Sequence, residues 1–74
     1  MTRIERRKNL EQNLTLLRSL LPGAEIVELD KFHYRIKGGT TVDYWPSTNR
    51  AWVTGTRNKS FRASVSEVAA LVLQ

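Results

Sequence analysis

Cysteine is absent from the 74 residues, and histidine occurs once, as His33. The first absence excludes disulfides and cysteine-ligated metal centres while leaving the redox compartment open. The second leaves no histidine cluster to hold zinc. Acidic residues are scarce: seven Asp and Glu stand against twelve Lys and Arg, giving a formal charge of +5 and a pI near 10.3. No apolar run approaches the ~20 residues of a membrane span, so no membrane partner is expected. Residues Arg3 to Lys8 resemble the charged start of a signal peptide, but Glu11, Gln12, Asn13 and Arg18 break any continuous apolar stretch after them. A cytoplasmic chain is the expectation. P-loop, G-x-S-x-G and H-E-x-x-H motifs are all missing, and no cofactor is expected. What remains is ordinary globular usage, 41% hydrophobic and 26% charged. That composition suits one small domain spanning residues 1–74.

Apolar spacing then places the elements. Leu10, Leu14, Leu17 and Leu21 recur at helical intervals, with Leu20 widening the stripe and Leu16 pointing away from it. Thr2 and Glu5 form a capping box at the start of this helix. Pro22-Gly23 ends it, through proline's restriction of Leu21 and a left-handed glycine cap. Carried backwards, the stripe reaches Arg7 and Arg3 rather than more leucines. This end therefore overhangs into solvent or meets an acidic partner.

The middle of the chain reads as strands: Ala24 to Leu29, Phe32 to Lys37, Thr40 to Trp45 and Arg50 to Thr54. A two-residue Gly38-Gly39 loop would put Val42 and Tyr44 on the face of His33 and Arg35. A three-residue loop pairs Ile36 with Val42 and Tyr34 with Tyr44, and only this register unites the apolar sets. A three-residue turn with a glycine bulge is therefore expected. It sets His33 beside Trp45, Arg35 beside Asp43 and Lys37 beside Thr41 on the other face. Arg35–Asp43 is expected to be a modest cross-strand contact.

Gly55 to Arg62 reads as a loop carrying Arg57, Lys59 and Arg62 with no acidic residue. Ser64 and Glu67 cap a second helix with the stripe Val65, Val68, Ala69 and Val72, flanked by Leu71 and Leu73. The expected class is α+β: α-β-β-β-β-α, an antiparallel sheet with both helices packed on one face.

The segment Val42-Asp43-Tyr44-Trp45-Pro46-Ser47-Thr48-Asn49-Arg50-Ala51-Trp52 resembles a strand-turn-strand of small uncharacterised bacteriophage and prophage proteins. There it takes a form like V-D-F-W/Y-P-S/T-T-G-x-W before a C-terminal helix. Asn49 stands in place of the usual glycine, which a left-handed turn position tolerates, and one extra residue precedes Trp52. This resemblance implies an accessory phage gene product and no specific activity. The element order also resembles the double-stranded-RNA-binding fold, with Gly55 to Ser60 where that family carries a basic loop. Its Ser-Lys-Lys core is missing here, and four strands are counted rather than three. A related arrangement in mRNA-interferase toxins uses a histidine on an early strand, as His33 is, but their Gly-Ser-His motif is absent.

Net charge is +3 in Met1–Leu21, −1 in Pro22–Asp43 and +3 in Tyr44–Gln74. Two basic patches thus flank a nearly neutral hairpin. Arg3, Arg6, Arg7, Arg57, Lys59 and Arg62 are candidate phosphate contacts, with Trp45 or Trp52 as a stacking surface. The expectation is a small basic accessory module contacting nucleic acid. The alternatives are a module that binds an acidic surface of a host protein, and a small RNase-like toxin using His33. Net charge kept for solubility is the bland account of the same residues. A homodimer through a free sheet edge or Leu16 is compatible with either binding role.

Overall fold

The first turn of helix α1 (Arg3–Leu20) is held by the capping box read from the sequence. Glu5 N donates to Thr2 Oγ1 at 3.2 Å, and Thr2 N donates to Glu5 Oε2 at 3.4 Å. These bonds satisfy backbone donors that no earlier helical turn can reach. The computed structural model describes residues 2–74, and Met1 lies outside the described residues. At the other end Leu21 sits at φ −129° and ψ 62°, outside the α region as a residue before proline should be. Gly23 is not left-handed; Ala24 N closes the turn on Leu21 O at 3.2 Å instead. Leu10, Leu14, Leu17 and Leu21 are buried, whereas Leu20 is exposed and leaves the stripe narrower than expected. Leu16 is exposed, as its angle on the helix requires.

Five antiparallel strands follow in meander order: β1 (Glu25–Asp30), β2 (His33–Lys37), β3 (Val42–Trp45), β4 (Arg50–Val53) and β5 (Phe61–Arg62). The last corrects the sequence reading, which counts four strands and takes Gly55 to Arg62 as loop. Phe61 pairs with Ala51 and Arg62 with Arg50, and Ala63 N donates to Asn49 O just beyond them. Two residues are too short to show alternation, so only pairing to β4 defines the strand.

The central register is the one that apolar matching selects: Ile36 opposite Val42, Arg35 opposite Asp43 and Tyr34 opposite Tyr44. The turn itself differs from expectation. Neither Gly38 nor Gly39 is left-handed, so there is no left-handed glycine bulge. Glycine is required there for another reason, the close approach of the chain's last helix, α2 (Val65–Val72). A Cβ on Gly38 would clash with Val72 Cγ1, and one on Gly39 would lie 2.5 Å from Gln74 O. Thr40 N donates to Val72 O at 3.1 Å, which closes the end of α2 onto this loop.

Inward residues Tyr34, Ile36, Val42, Tyr44 and Ala51 meet Leu10, Leu14 and Leu17 of α1 and Val65, Val68, Ala69 and Val72 of α2 in one core. The fold is therefore α+β, with both helices on one face of the sheet. Each fully buried aliphatic side chain contributes roughly 1.5–3 kcal/mol. No helix among the described residues is long and apolar enough to cross a membrane.

Candidate nucleic-acid interface

The turn between β3 and β4 is tied to α1 and to β3 by side-chain hydrogen bonds. Asn49 takes φ +53°, the left-handed position anticipated for it. Its Oδ1 accepts from Tyr44 Oη at 2.7 Å and from Asn13 Nδ2 at 3.3 Å. Asn13 Nδ2 also donates to Pro46 O at 2.7 Å, pinning α1 to this turn. Pro46 and Ser47 are buried. Burial alone pushes the Tyr44 phenol up to about 12. Much of the Val42–Trp52 segment is thus occupied in holding the fold together, and Asp43, Trp45, Arg50 and Trp52 are its residues on the face opposite the helices.

On that outer face, Asp43 accepts from Arg35 Nε at 2.8 Å, Arg35 Nη2 at 3.3 Å and Thr54 Oγ1 at 2.7 Å. His33 Nε2 lies 3.0 Å from its Oδ2. Asp43 is only 2% exposed, so it is a buried hub rather than only the modest cross-strand contact expected. Burial pushes its pKa up, but hydrogen bonds from Arg35, Thr54 and His33 outweigh this and leave it below the ordinary value. The His33 and Trp45 rings stack at 4.2 Å with planes 13° apart. Neighbourhood on adjacent strands is legible in the sequence; that the rings lie face to face is not.

Next in the cross-strand row come Arg50, opposite Trp45, and Arg62, opposite Arg50. Arg50 Nη2 donates to Ser60 O at 3.1 Å and Ser60 Oγ at 2.9 Å. Trp52 Nε1 donates to Asn58 O at 2.7 Å, so the 55–60 loop folds back toward the outer face. Arg57 and Lys59 ride on that loop and are exposed.

The arginines of α1 have a different neighbour. Arg3, Arg6 and Arg7 line a cleft of about 300 Å³ together with Lys31 and Phe32, the turn between β1 and β2. Arg7 Nε also faces Glu11 at 3.5 Å, an exposed pair of small energetic weight. Lys31 is not among the sequence candidates. Its only signal is its place in a turn, and which helix end that turn meets is a tertiary fact. The six basic candidates therefore divide: Arg3, Arg6 and Arg7 in the helix-layer cleft, Arg57 and Lys59 on the loop over the outer face, and Arg62 at the open sheet edge.

No family model, curated protein or solved structure matches the chain.

Proposed function

We propose that this protein is a nucleic-acid-binding accessory module, of the phage kind that its Val42–Trp52 segment resembles. The observation that carries the reading is the cleft of Arg3, Arg6, Arg7 and Lys31, which no carboxylate among the described residues lines, Glu28 lying in the adjoining cleft with Arg7, Lys31 and Phe32. Two elements far apart in sequence bring four cations together there. Glu11, paired with Arg7, and Glu28, in the adjoining cleft, offset part of the cations' mutual repulsion, and an anion in the cleft relieves the rest. Backbone phosphate is the polyanion such a cluster suits, because each neutralised phosphate releases condensed counterions. Phe32 gives the cleft an apolar floor beside the cations.

The test is binding of single- and double-stranded nucleic acid across a salt series. Affinity falls steeply with salt, and changing Arg6 and Lys31 together to Gln flattens the log–log slope by about 0.7 per lost single-strand phosphate contact. Absence of binding at ~50 mM salt, where phosphate contacts are strong, overturns the reading. A protein-interaction role is favoured by one separate observation. Leu16 is exposed on α1 in an open groove with Glu11, Gln12, Thr15 and Ser19. A Leu16→Asp variant that loses a defined host-protein contact while keeping nucleic-acid binding would assign that groove to the second role.

A further inference from the structure

We infer that the cleft between Trp45 and Arg50 is a slot for an unstacked nucleobase, which makes the ligand a single strand rather than an intact duplex. This rests on the nucleic-acid reading above and adds to it the substrate class and a second site.

The slot begins with a tryptophan that is held still. One flank of Trp45 is covered by His33, and that imidazole is itself fixed. Asp43 is an ionised acceptor, so His33 Nε2 carries the hydrogen that joins them, and the ring cannot turn without breaking this bond. Asp43 in turn is immobilised by Arg35 and Thr54. The indole is thus backed by an aromatic ring, a carboxylate hub and two further side chains.

On the side of the neighbouring strand β4, Trp45 borders a cleft. Arg50 is its partner on the neighbouring strand, and a cleft of about 260 Å³ lies there, lined by Trp45, Thr48, Arg50 and Ser60. Its walls are an indole, a guanidinium steadied by two hydrogen bonds to Ser60, and two hydroxyl-bearing side chains. A planar, polar-edged ring matches these walls: the indole stacks on its face, while Arg50, Thr48 and Ser60 meet donors and acceptors on its edge. Bases inside a duplex present only their edges to a protein, and an upright indole has no access to their faces.

Two further cations lie near this end of the sheet. Arg62 lies beyond Arg50 on β5, and Lys31 of the four-cation cleft is two residues from His33. From β2 to β5 the row spans on the order of 14 Å at ordinary strand spacing. Lys31 faces the helix-layer cleft and Arg62 lines an edge cleft with Asn9 and Glu67, so the cation within the slot itself is Arg50.

Trp52→Phe makes Trp45 the sole tryptophan and hence the fluorescent reporter. In that background three ligands are titrated at low salt: oligothymidylate of about 12 nucleotides, an abasic phosphodiester of the same length, and a duplex. The slot requires quenching of Trp45 by oligothymidylate, and about tenfold tighter binding of it than of the abasic strand. Trp45→Leu and, separately, the exposed-site change Arg50→Met abolish that preference while abasic binding stays salt-dependent. Circular dichroism checks the fold of each variant. Equal affinity for the two strands, or a duplex bound as tightly as oligothymidylate, overturns the slot and leaves phosphate binding standing. If no ligand binds, the underlying nucleic-acid reading falls and the slot with it.

Discussion

Alternate residues of the same strands build two sheet faces held by different physics. The inward set, Tyr34, Ile36, Val42, Tyr44 and Ala51, is closed under the helices, and its contribution is non-directional apolar burial. On the outward set, His33, Arg35, Asp43, Trp45 and Trp52, the central carboxylate is nearly as buried as the core but is held by directional bonds. The inner face tolerates exchange among apolar residues of similar volume. The outer one depends on particular atoms at particular distances, and that dependence positions the Trp45 ring.

The contrast is broken or sharpened by substitutions of decreasing effect. Ile36→Ala, on the inner face, empties a fully buried position. Urea unfolding is expected to show a loss of about 2–5 kcal/mol that varies little with pH. A loss under ~1 kcal/mol would mean that the inner face is not the main source of stability.

Asp43→Asn tests the outer hub while nearly preserving shape. A loss of about 1–3 kcal/mol is expected at neutral pH, because a charge-assisted acceptor becomes neutral. The folded pKa of Asp43 lies below its ordinary value of 3.8. Its contribution is therefore complete above that value and disappears as pH falls through the depressed folded pKa. Parent and variant should converge in that acid window. A gap independent of pH would assign the loss to packing rather than charge.

Tyr44 supplies an alkaline counterpart on the inner face. With its phenol raised to about 12, the folded state retains its stabilising contribution below the unfolded value of 10.0 and loses it as pH rises through about 12. Ultraviolet titration of the folded protein should show a tyrosine still neutral at pH 11, a point between these two values. Complete ionisation by that pH would contradict its burial.

The smallest effect is expected at Lys37→Gln. Lys37 Nζ lies 3.7 Å from Glu25 Oε2, with both side chains more than half exposed. Thermal unfolding should move by less than the equivalent of ~0.5 kcal/mol. An effect matching that of Asp43→Asn would show that burial is not what distinguishes the hub.

Much of this is legible in local spacing. Both capping boxes, the α1 stripe apart from Leu20, the left-handed Asn49 and the β2–β3 register all follow from residues close in sequence. Alternation has a period of two, so only one register can bury Ile36, Val42 and Tyr44 together. β5 escapes such a reading because two residues carry no period. Gly38 and Gly39 look like a left-handed turn, yet their requirement is set by Val72 and Gln74, more than thirty residues away. The candidate site is legible as a charge inventory and as the pairing of His33 with Trp45. Lys31, Arg50, Thr48 and Ser60 join it only when strands and turns are placed in space.

The sequence by itself determined what is missing, cysteine and acidic balance above all, and where the local patterns start and stop. Tertiary structure decided how the scarce acidic residues and abundant cations are used: Asp43 is enclosed by three partners, while Arg3, Arg6 and Arg7 meet Lys31 rather than Arg57 and Lys59. The physical reason is range. Caps, stripes and strand alternation depend on neighbours within a few residues, whereas burial of a charge and convergence of cations depend on which distant segments pack together.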